Sequence, residues 1–321
     1  MLGRVANTIY WMNRYLERAE NYARFMDVNF NLSLELPPNE IQQWQPLVVI
    51  TGDWELYQSL NSKVEKTKVI YFLAFEERNP NSIYNCILNA RENARAVRTE
   101  ITKEVWEQIN ALYFLVKDGQ EKKQCLDVNI RDFFTQIKNG CQLVYGMYDS
   151  TISRNEGWNF GKLGQVLERA DKTSRVLDAK YHLLLDSPKE VGSSLDLIQW
   201  AALLKSVSAY DMYRKKYGKL SPSCIAEFLI LDREFPRSIL ACLLIAEQSL
   251  ITLSGSSVGF SNDAQKQLGA LRSQLEYIDI NDIIDKGMHE YLDEIQGKLN
   301  KISSAIYNSF FVIQTDYSEV K

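Results

Sequence analysis

From the second residue onward, apolar side chains recur at alternating steps of three and four: Leu2, Val5, Ile9, Met12, Leu16, Ala19, Ala23, Met26 and Phe30. That spacing puts them on one face of a helix of about 30 residues, which ends before Pro37-Pro38. Tyr10, Asn13, Glu17, Glu20, Arg24 and Asp27 keep the same spacing one residue further on. They are therefore rotated by about 100° and form a polar stripe beside the apolar seam. Residues 157–185 repeat the design, with Leu163, Leu167, Ala170, Ser174, Leu177 and Tyr181 as seam and Glu168, Asp171, Arg175 and Asp178 as stripe. Periods of three and four predict further helices over 40–60, 64–77, 82–98, 103–117, 122–148, 193–217, 222–251, 262–278 and 282–316. Breakers fall between them at Asn79-Pro80-Asn81, Asp186-Ser187-Pro188, Ser221-Pro222 and Ser254-Gly255-Ser256-Ser257. Pro236 lies inside a helical stretch and is expected at a kink or in a first turn. Strand-like alternation is nearly absent, so the predicted fold class is all-α.

Two strings recur. Residues 16–27 read LERAENYARFMD and residues 167–178 read LERADKTSRVLD, so L-E-R-A-acid-x-x-x-R-x-x-D returns 151 residues later. R-E-x-x-R occurs at Arg91-Glu92-Asn93-Ala94-Arg95 and again, 142 residues on, at Arg233-Glu234-Phe235-Pro236-Arg237. By that pairing the first half has nine more residues between its motifs, which a longer inter-helix loop would absorb. The expectation is a single all-helical domain over 1–321, a bundle from an internal duplication with approximate two-fold symmetry and pseudo-repeats near 1–150 and 151–321. Units of that size exclude a solenoid of short repeats.

Composition narrows the function. Lys plus Arg is 37 against 41 for Asp plus Glu, a net charge of −4 over 321 residues, which argues against general affinity for nucleic acid. Arg4 and Arg14 interrupt what a signal peptide would need, and no stretch is apolar enough to span a membrane, so a soluble cytoplasmic protein is expected. Cys86, Cys125, Cys141, Cys224 and Cys242 are odd in number and form no C-x-x-C. Reduced, mostly buried thiols are the reading.

Within each stripe an acid precedes an arginine by four, Glu20 before Arg24 and Asp171 before Arg175, the favourable order on a helix. Ala19, Ala23, Ala170 and Ser174 would let the two helices approach closely and bury both stripes. Buried carboxylates need partners, and Arg91, Arg95, Arg98, Arg233 and Arg237 are the evident supply. Such a network either fixes helix register or leaves arginines free for a carboxylate or phosphate. A carboxylate-bridged metal site would need Glu-x-x-His, which the chain lacks, and the pair Asp178 and His182 does not replace it. Gly255-Ser256-Ser257-Val258-Gly259 matches G-x-S-x-G but no strand precedes it, so a turn is expected. No P-loop and no G-x-G-x-x-G occurs, and no cofactor is implied. Trp11, Trp44, Trp54, Trp106 and Trp158 read as packing residues, and Tyr210 to Tyr217 as a solvated helix end.

MLGRVANTIYWMNRYLERAENYARFMDV, the second LERAD, ARENARAVR followed by Glu104-Val105-Trp106, and FLILDREFPRSI together resemble the bacterial alpha-E family, all-helical proteins named for a Glu-Arg motif. The resemblance runs from Met1 to about Leu250. It implies partnership with circularly permuted ATP-grasp proteins and transglutaminase-like proteins that act on peptide amide bonds. The residues it carries over are Glu17, Arg18, Glu20, Asn21 and Arg24; Arg91, Glu92, Asn93, Arg95 and Arg98; Glu168, Arg169 and Arg175; and Asp232, Arg233 and Arg237, with Lys172 standing where the first helix has Asn21. The expectation is a non-catalytic accessory protein whose arginines hold a peptide or other anionic ligand. The alternative is an enzyme of amide chemistry with Glu17 or Glu168 as general base.

Overall fold

Two long helices, α1 (Gly3–Glu35) and α8 (Glu156–Leu183), pack along each other in a computed structural model that describes residues 1–35, 40–122, 130–183, 193–255 and 259–312. Their seams meet as the sequence spacing requires, since Ala19, Ala23, Ala170 and Ser174 are all buried. The tightest constraint lies nearer the start of both helices. A Cβ on Gly164 would overlap the main-chain oxygen of Tyr10, and one on Gly161 would overlap the Tyr148 hydroxyl and the Asn13 amide. Glycine at 157, 161 and 164, spaced by four and three, therefore clears the path for α1, which the sequence pattern did not anticipate.

Around this pair, α5 (Ile83–Ala96), α7 (Ile130–Thr151) and α9 (Ser194–Ser206) pack on α1, while α12 (Ile239–Ser254), α15 (Met288–Ile306) and α2 (Glu40–Thr51) pack on α8. Each central helix is thus covered on more than one side, which is why its polar stripe is buried along with its apolar seam. Helix α6 (Lys103–Glu121) lies outside α5 and α7, and α13 (Asp263–Tyr277) outside α12 and α15. Short helices α3 (Trp54–Leu60), α4 (Lys66–Ala74), α10 (Tyr210–Tyr217), α11 (Pro222–Leu231) and α14 (Ile280–Lys286) fill the links. A π-helical turn, Tyr307–Phe311, closes over the start of α1. No strand occurs among the described residues.

Several predicted helices are divided. The 40–60 stretch breaks at Gly52 (φ +81°) and 193–217 at Ser208 (φ +53°), left-handed positions that stop the i to i−4 ladder. The 222–251 stretch breaks between Asp232 and Ser238, so Pro236 sits in a connecting turn and neither kinks a helix nor opens one. The last stretch begins at Ile280, breaks at Gly287 (φ +99°) and ends in the π turn. Pro46 lies within α2, inside the helix expected over 40–60. The Asp186-Ser187-Pro188 breaker, Cys125 and Ser256 to Val258 of the G-x-S-x-G string lie outside the described residues.

A displacement of 156 residues relates one set of local geometries to another. Trp44 and Trp200 are both buried, and Gly52 and Ser208 both take positive φ. Tyr57 donates its hydroxyl to Lys63 O and Tyr213 to Lys219 O, each at 3.0 Å. Ser82 and Ser238 cap α5 and α12 by accepting from Asn85 N and Ala241 N. The strings behind this are FLAFEERNPNSI at 72–83 and FLILDREFPRSI at 228–239. R-E-x-x-R does not share it, for Arg91 to Arg95 lie on α5 while Arg233 to Arg237 lie in the turn before α12. The five residues by which 156 exceeds 151 fall between α8 and α9, so the longer connection is in the second half and the expected nine extra residues in the first are not found.

Candidate functional site

At the crossing of α1 and α8 the two Glu-Arg dipeptides trade partners. Glu17 of α1 accepts from Arg169 of α8 through two parallel bonds, Nε to Oε1 and Nη2 to Oε2, both 2.9 Å. Glu168 of α8 accepts from Arg18 of α1 in the same way, Nε to Oε1 at 2.6 Å and Nη2 to Oε2 at 3.0 Å. Adjacent residues on a helix point about 100° apart, so a Glu-Arg dipeptide presents an acceptor and a donor fork side by side to a facing helix that carries the same dipeptide. Glu17, Glu20 and Glu168 are completely enclosed.

Further cations complete the lattice. Arg237, from the turn before α12, reaches Glu17 Oε1 and Asn21 Oδ1 with Nη1, both at 3.2 Å, and Glu20 Oε2 with Nη2 at 3.1 Å. Arg24 and Gln142 also bond to Glu20. On the other side, Arg14 donates to Glu168 Oε2 at 2.9 Å, and Lys172 stands 3.5 Å from Glu168 and 3.0 Å from Asp171, which Arg175 also holds. Asn21 and Lys172 thus occupy matching places, the amide bonded to Glu17 and the ammonium to Glu168. The stripe ends are tied outward, Asp27 to Lys138 of α7 and Asp178 to His289 of α15.

Of the arginines expected to serve these acids, only Arg237 does. Arg91 bonds to Asn110 and Glu92 and lies over the Tyr113 ring, Arg95 is 65% exposed and pairs with Glu92, and Arg98 lies over Trp106. Asn93 is half-buried on α5, two residues from Arg91 and so on a different side of the helix, and Arg233 pairs with Glu276 on α13. These residues sit outside the lattice because helix α5 turns its small residues Ala90 and Ala94 inward and its charges outward. Asp232 is placed near the lattice but organises the turn, accepting from Glu234 N at 2.8 Å, Phe235 N at 2.7 Å and Lys216 Nζ at 2.7 Å. Arg14 was missed as a ligand of Glu168, though it lies one turn before Arg18, the spacing that places two side chains on one face.

Burial alone would push the Glu17 carboxyl up, but Arg169 and Arg237 outweigh it and hold it at about 2. Burial likewise opposes ionisation of Glu168, and Arg18, Lys172 and Arg14 reverse the sign and bring it well below the usual range. A general base works best with a pKa near the operating pH, so neither acid is poised for that role. Both pKa values are lowered by folding, so the stability they contribute is present above the ordinary value of 4.5 and is lost as pH falls toward 2. The midpoint of urea unfolding should therefore drop steeply between about pH 4.5 and 2, and less in a variant with Glu17→Gln, which keeps only the Glu168 contribution of the two. Burial keeps three thiols from acting as nucleophiles, raising Cys86 and Cys242 to about 12 and Cys141 well above the ordinary range. No group of three His, Cys, Asp or Glu among the described residues could hold a metal ion.

Beside this enclosed lattice opens a cleft of about 780 Å³ between α7, α8, α10 and the turn from α11 to α12. Arg169 and Arg237 form part of its wall, with Lys215, Lys216, Tyr145 and the rings of Phe228 and Phe235 around them. The two phenyl groups stack at 4.7 Å.

Fold and site together define an all-helical protein built around a buried, reciprocal Glu-Arg exchange between two long helices. The chain belongs to the Alpha-E family, described as a predicted alpha-helical domain with a conserved ER motif, whose profile matches residues 1–311. It is similar to an uncharacterized protein of Mycobacterium bovis and to two of Mycobacterium tuberculosis, each 22% identical over 271 residues. Those matches cover 79% of this chain but 30% of the relatives' own length. No solved structure matches it. None of its described helices is long and apolar enough to cross a membrane.

Proposed function

We propose that this chain is a non-catalytic accessory module, cytoplasmic and derived by internal duplication, that binds a peptide or other anionic ligand for circularly permuted ATP-grasp and transglutaminase-like partners. The partners come from the family resemblance. The observation that supports a binding role is the contrast between the acids and the arginines of one lattice. Glu17, Glu20 and Glu168 are sealed off, so none can reach a substrate as general base, whereas Arg169 and Arg237 extend to the wall of an open cleft. Charge on that side suits an anion: Arg24, Arg169 and Arg237 outnumber Glu17 and Glu20, and Lys215 and Lys216 also line the cleft.

The test is co-purification of the chain with an ATP-grasp protein from the same cell, beside a melt of each variant. Arg95→Ala and Arg98→Ala change exposed side chains and should leave stability within about 0.5 kcal/mol, so any loss of association they cause is a loss of contact. Arg237→Lys should weaken folding as well, because it breaks two buried carboxylate bonds. Retention of the ATP-grasp protein by the wild-type chain is the expected result. Amide-bond turnover by the purified chain alone would overturn the accessory reading.

A further inference from the structure

The arginines of the two Glu-Arg dipeptides hold their carboxylates alike, through Nε and Nη2, and differ in the fate of the third nitrogen. Arg18 gives Nη1 to Asn81 Oδ1, and Asn81 in turn donates to Asp53 Oδ1 at 2.7 Å, so that side of the crossing is closed by protein. Arg169 Nη1 has no partner among the described residues. At the places 156 residues beyond Asn81 and Asp53 the chain has Arg237 and Ala209. An acceptor has been replaced by a second guanidinium and a carboxylate by a methyl group.

Three more donors are left over at the same place. Arg237 spends Nη1 and Nη2 on Glu17, Asn21 and Glu20, and its Nε has no partner among the described residues. The Tyr145 hydroxyl is buried without a partner, and burial pushes its pKa well up, so it remains a neutral O–H donor. Lys215 lines the cleft and makes no ion pair among the described residues. An unmade hydrogen bond from a buried donor costs about 1–3 kcal/mol, so the Tyr145 hydroxyl calls for an acceptor, and Arg169 Nη1, Arg237 Nε and Lys215 stand beside it as charged donors open to the cleft.

We propose that this cleft is a recognition site for a carboxylate attached to an apolar or aromatic group, as at the end of a peptide whose last residue is hydrophobic. The carboxylate lies against Arg169 Nη1, Arg237 Nε and the Tyr145 hydroxyl, with Lys215 at the mouth. Its apolar group lies on the stacked rings of Phe228 and Phe235 and on Met212, whose side chain is otherwise largely exposed. Glu234, which lines the same wall with Asp232 and has no cationic partner among the described residues, repels a phosphate dianion about twice as strongly as a carboxylate monoanion and so favours the latter. The proposal rests on the reading of the cleft as a binding site and names its ligand.

Titration calorimetry of the purified chain with N-acetyl-phenylalanine, its carboxamide and inorganic phosphate tests it. The carboxylate should bind, the carboxamide should bind at least tenfold more weakly, and phosphate should not compete. Tyr145→Phe removes a hydroxyl that bonds to nothing in the protein, so it should fold as well as wild type and lose about tenfold in affinity. Lys215→Ala, an exposed change, should lower affinity with a shallower salt dependence. No heat from the acid, equal binding of acid and carboxamide, phosphate displacing the acid, or Tyr145→Phe binding like wild type would each overturn the assignment. Partner co-purification that persists alongside a failed titration rejects the ligand and spares the accessory role, and the reverse outcome rejects the role and keeps the ligand.

Discussion

Replacing Glu168 by Ala should cost about 3–5 kcal/mol of folding free energy, and replacing Glu17 nearly as much, measured by urea unfolding near neutral pH. Glu168 is fully enclosed and answers Arg14, Arg18 and Lys172 at once, and removing it leaves Arg14 and Arg18, both largely buried, without a counter-charge and Lys172 with Asp171 alone. Glu17 answers Arg169 and Arg237. The pair as a whole is worth less than either truncation suggests, because two charges have been taken out of water to form it. A double variant that replaces Glu168 and Arg18 together should therefore lose less than the sum of the two single changes, the difference being their coupling. A Glu168→Ala protein that unfolds within about 1 kcal/mol of wild type would show the carboxylate to be solvated, against the enclosure described above.

Gly164→Ala should destabilise the fold by about 1–3 kcal/mol, although alanine is the better helix former. On an exposed helix face the same change would stabilise. Here the added methyl group would overlap the main-chain oxygen of Tyr10, and main chain cannot rotate aside as a flexible side chain can. The two long helices must part, which lengthens the Glu-Arg bonds one turn along α8 and two turns along α1. Gly146→Ala on α7 is the matched control, since nothing lies within 4 Å of the place a Cβ would take. It should be neutral or slightly stabilising in the same melt. Equal behaviour of the two variants would mean that α1 and α8 are not held at their closest approach by glycine.

The Glu-Arg dipeptide and its return 151 residues later fixed more of this protein than its local structure. Because a helix converts sequence spacing into direction, LERA on two helices already set acid and arginine side by side on each, and the small residues beside them allowed the close approach that brings the dipeptides together. All-helical class, the long first helix, the seam and the burial of Glu17 and Glu168 follow from periodicity of that kind. The shared string R-E-x-x-R was misleading for the same reason. On α5 it is a helix face turned to solvent, and before α12 it is a turn, where residues three apart no longer share a face. The helix breaks at Gly52 and Ser208 also escaped the pattern, since a single left-handed residue interrupts a ladder without altering the apolar period around it.

Partner choice is what only the tertiary structure decided. Nothing in the local sequence says that Arg237 reaches the first Glu-Arg helix across 220 residues, or that Arg14 joins Arg18 on Glu168. Nor does it say that Asn81 closes one side of the crossing while Tyr145, Phe228 and Phe235 open a cleft on the other. Hydrogen bonding between side chains acts over about 3 Å, whereas the positions it links are set by how four or five helices stack, and that stacking depends on every seam at once. The sequence could therefore state which residues must be paired, because buried charge is costly. The assignment of each pair, and of the guanidinium nitrogens of Arg169 and Arg237 left facing a cleft, waits on the fold.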